Sequence, residues 1–101
     1  MNWTELLNRM AHWQRTQFPE TTTVGALNHL RREVNKELTD KPDDPEEWAD
    51  ALHMAIQGGT KAAGSLNKFR QVVLQKLAIN ENRKWPDKPD DDNVYEHVGS
   101  S

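Results

Sequence analysis

Apolar positions recur at helical spacing in four segments of the chain, with Pro or Gly clusters between them. Trp3, Leu6, Leu7, Met10, Trp13 and Phe18 form the first stripe, which Pro19 stops. The second begins near Thr23, a suitable N-cap, and sets Val24, Leu27, Leu30, Val34 and Leu38 on one side before Asp40-Lys41-Pro42. Asp44-Pro45-Glu46-Glu47 has the order of an N-cap, a first-turn proline and a capping-box glutamate, so a third helix starts there. Gly58-Gly59 reads as its stop. A fourth follows Gly64 with Ser65 as cap. Leu66, Phe69, Val72, Val73, Leu77 and Ile79 make its apolar side, and Pro86 ends it. No run alternates with period two, so no sheet is expected. The pattern predicts an all-α fold, a small bundle of about four helices over residues 1–85. Residues 86–101 differ: Pro86, Asp87, Pro89, Asp90, Asp91 and Asp92 make an acidic tail expected to be flexible, because it cannot bury enough to order itself.

Composition adds a deficit to this picture. The chain has 101 residues, 35% of them hydrophobic and 29% charged, with a mean hydropathy of −0.96. A domain this short buries only about two-thirds of its unfolded surface. A partner, a metal or an oligomer interface is expected to complete the core. Four Trp argue against plain disorder. Thirteen Lys and Arg against sixteen Asp and Glu give −3, too acidic for a generic binder of nucleic-acid polymer. With no cysteine there is neither a disulfide framework nor a thiolate metal site. Apolar runs reach only three or four residues, so no membrane span is expected. MNWTELLNRM lacks the marks of a signal peptide, and a cytoplasmic protein of a bacterium or phage-infected cell is expected.

Four carboxylates look out of place. Glu33 and Glu37 stand at i, i+4 on the second helix, beside Leu30 at the edge of the apolar stripe. Like charges at that spacing repel by roughly 0.3 kcal/mol. Glu47 and Asp50, at i, i+3 on the third helix, share a face with Ala51 and Met54. Two helices thus each turn a carboxylate pair toward the interior, where unpaired anions are costly. A hard divalent cation such as Mg²⁺ relieves that cost. Singly, each carboxylate has an ordinary reading: Glu47 as a capping box, Glu37 beside Lys41 and Glu33 beside Lys36 as exposed ion pairs. Together, a metal site competes with those readings on even terms.

Lys76, Asn80 and Arg83, at i, i+4 and i+7, form one polar stripe on the fourth helix. Alone it reads as a solvated face. Opposite an acidic, metal-ready cluster it suits a polyanionic ligand, because Arg forks onto phosphate oxygens and Lys supplies a point charge. Trp13 and Phe18 suit stacking on a purine and Gln14 suits its edge, unless Trp13 is core and Gln14 merely exposed. Trp3 and Trp48 are assigned to packing, and Trp85 to capping the bundle end. His12, His29 and His53 share no ligand spacing and read as structural, His29 being the nearest to an outer contact of the site.

Glu33 and Glu37, followed by Glu47-Trp48-Ala49-Asp50, resemble the split acidic motif of the all-α nucleoside triphosphate pyrophosphohydrolases, the MazG-like superfamily. His12-Trp13-Gln14 with Phe18, then His29-Leu30, then Lys76 through Asn80, Arg83, Trp85, Pro86 and Asp87, resemble its phage-type dATP/dGTP pyrophosphohydrolase branch, which includes MazZ-like enzymes. The resemblance covers roughly residues 10 to 88. It implies a MazG-like bundle that hydrolyses a purine (d)NTP, dGTP or dATP, between the α and β phosphates to monophosphate and pyrophosphate. It also implies Mg²⁺, with Mn²⁺ able to substitute, and assembly as a dimer or tetramer that completes the core. Carried over, Glu33, Glu37, Glu47 and Asp50 hold metal, Lys76 and Arg83 grip the phosphates, and Asn80 orients phosphate or sugar. Glu33 or Glu37 accepts the proton of the attacking water. The chain departs from the branch at Gln57, where an acidic residue is common, and through Gly58-Gly59 and Lys61-Ala62-Ala63-Gly64. The rival reading is a non-catalytic helical interaction module of a phage or bacterium.

Overall fold

A computed structural model describes residues 1–99. Four α-helices follow in order: α1 (Trp3–Gln17), α2 (Thr23–Arg32), α3 (Pro45–Ala63) and α4 (Leu66–Asn82). A π-helical segment, Glu33–Leu38, continues α2. Each helix starts where a side-chain oxygen meets an orphan amide of the first turn. Asn2 accepts from Glu5 N–H at 2.8 Å, Thr22 from Gly25 at 3.0 Å, Asp44 from Glu46 at 2.9 Å and Ser65 from Lys68 at 3.1 Å. The cap of α2 is therefore Thr22, one residue before the expected Thr23. No strand forms among the described residues, whose one β-type pairing is an isolated bridge between Lys84 and Val98. The fold is all-α with four helices, as the periodicity predicts.

Helix α3 passes through Gly58-Gly59 instead of stopping there. Packing is the reason. A Cβ on Gly58 would stand 3.3 Å from that of Ala26, and one on Gly59 would overlap the Phe69 ring. The helix ends at Gly64, whose φ of 98° is the left-handed conformation that favours glycine at a C-terminus.

The chain divides into two compact units, Met1–Arg70 and the part from Gln71 on. In the first, α3 is the hub against which α1, α2 and the π-helical segment pack. Met10, Ala11, Ile56 and Leu66 form a buried cluster, with Leu6, Leu7 and Phe69 packed on it. Ala26 and Leu38 are buried as well. Other positions of the second stripe stay open: Val24, Leu27 and Val34 are exposed. Trp3 and Trp48 are not core residues either, at 69% and 57% exposed. Trp48 instead donates its indole N–H to the Pro42 carbonyl at 2.8 Å, stapling the loop that precedes α3.

In the second unit Val72, Val73, Leu74, Leu77 and Ile79 are exposed along α4. Beyond the helix the backbone turns on itself. Asp90 N–H donates to Val94 at 2.9 Å, and Val98 N–H returns to the Lys84 carbonyl at 2.6 Å. No helix among the described residues is long and apolar enough to cross a membrane.

Candidate active site

Glu33 sits where α2 widens into π geometry. Its N–H bonds to the His29 and Leu30 carbonyls together, and the Thr39 hydroxyl donates to the Val34 carbonyl five residues back. Such widened turns recur at functional sites. Nothing in the hydrophobic period betrays this one.

The first two turns of α3 supply the facing groups, Glu47 and then Asp50. One carboxylate oxygen from each of Glu33, Glu47 and Asp50 lies within 4.8 Å of the others. Glu33 is buried, and its Oε1 has no hydrogen-bond partner. A buried, unsatisfied carboxylate oxygen is costly and calls for a ligand. Glu47 is pushed above the ordinary carboxylate range. Its hydrogen bond with Glu33 is the largest cause, followed by burial and then by the charges of Glu33, Asp44 and Asp50. Asp44 caps the N–H of Glu46, while the Glu47 side chain meets Glu33. An all-oxygen donor set carrying this much negative charge fits a hard divalent cation. Glu37 is exposed in the π-helical segment and lies outside this triad, so the structure gathers three of the four expected carboxylates.

Beside the triad opens a cavity of about 440 Å³, which Asp50 helps to line. That volume suits a small organic ligand. Trp13 and Phe18 stand on its wall, edge to face with ring centroids 5.5 Å apart. Trp13 is half exposed, not core, and Gln14 is buried, not on the surface. The Gln14 amide Nε2 donates to the His53 carbonyl at 2.8 Å, which orients the side chain. His29, His53, Met54 and Gln57 also line the cavity; the sequence pointed to His29 as an outer contact and to Gln57 as a departure from the branch, but to neither His53 nor Met54. Helical spacing was the available signal. His29 precedes Glu33 by one turn, and residues 53, 54 and 57 follow Asp50 at +3, +4 and +7. His12 does not line this cavity.

In the second unit, Lys76 is exposed on α4 while Asn80 and Arg83 are half-buried. The Arg83 guanidinium donates to Asn80 Oδ1 at 3.0 Å. The stripe seen in the sequence thus contains a bonded pair.

The profile of the dATP/dGTP pyrophosphohydrolase family matches residues 6–101. The chain belongs to that family. This dATP/dGTP pyrophosphohydrolase family member is therefore an enzyme, and the interaction-module reading falls away. Among solved structures it is similar to a cyanophage S-2L MazG-like pyrophosphohydrolase bound to dGDP and three catalytic Mn²⁺ ions per active site. The two are 28% identical with a TM-score of 0.74, over 98% of this chain and 99% of that one. A search of curated proteins finds no match. The MazG-like fold and the nucleoside triphosphate pyrophosphohydrolase class stand on these two likenesses.

Proposed function

We propose that this family member is a Mg²⁺-dependent enzyme that hydrolyses dGTP, dATP or both between the α and β phosphates, with Mn²⁺ able to replace Mg²⁺. The observation that carries this reading is the triad of Glu33, Glu47 and Asp50 with the unpartnered Glu33 Oε1. The family match and the dGDP- and Mn²⁺-bound cyanophage structure support it. Glu33, Glu47 and Asp50 hold the cation, and Glu37, one turn from Glu33, joins them. A divalent cation there neutralises phosphate charge and makes water a stronger nucleophile.

The remaining roles fall to side chains. Glu33 and Glu37 are the catalytic carboxylates, one of which accepts the proton of the attacking water. Lys76 and Arg83 bind the phosphates and stabilise charge on the departing pyrophosphate. Asn80 orients phosphate or sugar. The base occupies the 440 Å³ cavity, stacked on Trp13. Because Gln14 Nε2 is engaged with His53, the Gln14 oxygen is left to accept from an N–H of the purine edge.

Residues 1–85 form the catalytic domain in this reading, and residues 86–101 the segment appended to it. The exposed apolar side chains of α4 support self-association as a dimer or tetramer. The enzyme works in the cytoplasm of a bacterium or phage-infected cell.

Product analysis over the eight common (d)NTPs, with Mg²⁺ and with chelator, tests the proposal. Metal-dependent pyrophosphate from purine deoxynucleotides is expected. Orthophosphate as the product would refute it.

A further inference from the structure

Residues 84–98 carry more order than an acidic, proline-bearing composition suggests, and that order converges on one pair of side chains. The last carbonyls of an α-helix lack partners within it. Near the end of α4, the Asn80 carbonyl receives the Arg83 backbone N–H at 3.3 Å and the Trp85 indole N–H at 2.7 Å. The side chain of the same Asn80 accepts from the Arg83 guanidinium at 3.0 Å. Trp85 in turn meets His97 edge to face, with ring centroids 5.8 Å apart. His97 is brought there by the backbone bond from Val98 N–H to the Lys84 carbonyl.

The intervening turn supports itself. The Asp90 carboxylate accepts from the Asp92 and Val94 N–H groups at 2.9 and 3.0 Å. Asn93 takes the left-handed backbone that Asn tolerates, with φ of 63°. The family profile also runs through this stretch to residue 101.

We propose that residues 84–98 are a strap that holds the Asn80–Arg83 pair in its binding geometry, and that Trp85 and His97 are positioning residues for it. The proposal rests on the reading of Asn80 and Arg83 as phosphate-binding groups. An Arg side chain that must be ordered on binding costs affinity, and one already fixed does not. The Asn80 carbonyl, gripped by the Trp85 indole, fixes the residue whose side chain orients the guanidinium. His97 keeps the indole in place.

The test is steady-state kinetics of the full-length chain with dGTP at saturating Mg²⁺. His97→Ala is expected to raise KM about fivefold and to lower kcat as well, since the same guanidinium stabilises the departing pyrophosphate, with the melting temperature retained. Trp85→Phe, which keeps a ring but loses the N–H donor, is expected to do the same. His97→Phe keeps the ring contact and should restore the parent KM. Unchanged KM in His97→Ala overturns the strap, as does a KM that rises only in step with a lost melting temperature. Arg83→Ala separates the two readings. If it loses affinity while His97→Ala does not, the phosphate assignment stands and the strap is wrong. If Arg83→Ala matches the parent, the phosphate assignment fails and takes the strap with it.

Discussion

Glu33 is buried with one oxygen unsatisfied, and the two other carboxylates of the triad crowd it. In metal-free protein this arrangement costs stability, so Glu33→Gln should stabilise the chelated chain by about 1 kcal/mol. Its amide can donate to Glu47, which the carboxylate could not. The same change should lower turnover by roughly 100-fold or more, because a cation loses a ligand. Chemical denaturation in chelator and a rate assay in Mg²⁺ check the two halves. Glu47 adds a pH dependence with a definite sign. Its carboxyl is raised above the ordinary value of 4.5 on folding, so the protonated form is favoured in the folded state. That contribution is full below the ordinary value and is lost as pH rises through the raised one. A bound cation favours the ionised form instead. The gain in melting temperature from Mn²⁺ should therefore be large at about pH 7 and fade toward about pH 4. Scanning fluorimetry with and without chelator reads it, and a gain that grows on acidification would contradict the triad assignment.

Two helix starts were legible because each depends on one side chain beside its own first turn, as Asp44 and Ser65 show. What the sequence left hidden depends on neighbours distant in the chain. Gly58-Gly59 looks like a stop until Ala26 and Phe69 are seen packed against it. The two glycines should respond differently to substitution. Gly59→Ala forces the Phe69 ring aside and should cost about 1–3 kcal/mol. Gly58→Ala meets only the edge of Ala26 and gains helix propensity of about 1 kcal/mol, so its net effect should be small. Thermal denaturation of both variants checks the contrast. That Glu47 and Asp50 lie together was legible because i, i+3 spacing places them on one face, whereas Glu37, at i+4 from Glu33, stays outside the triad. The π-helical turn at Glu33–Leu38 was not legible, since it arises without a period of its own in the side chains. His53 and Met54 were missed for a related reason: a cavity wall is drawn from three helices at once.

At the scale of the molecule, the apolar shortage read from composition reappears as surface. Val72, Val73, Leu74, Leu77 and Ile79 lie exposed on a single helix, more than an isolated small domain leaves open. Light scattering should therefore report a mass at least twice the 11.7 kDa of one chain. A monomer at micromolar concentration would contradict the expected dimer or tetramer. The chemistry rests on a narrower point, that the carboxylates of two neighbouring segments are a cation site and not a set of caps and ion pairs. Asp50→Ala tests it most directly, because Asp50 is the exposed member of the triad and lines the cavity as well. Pyrophosphate release from dGTP and dATP should be measured for this variant and its parent at saturating Mg²⁺, beside the melting temperature of each in chelator. The account predicts that turnover collapses while the chelated protein melts no lower than the parent. Full activity in Asp50→Ala would contradict it.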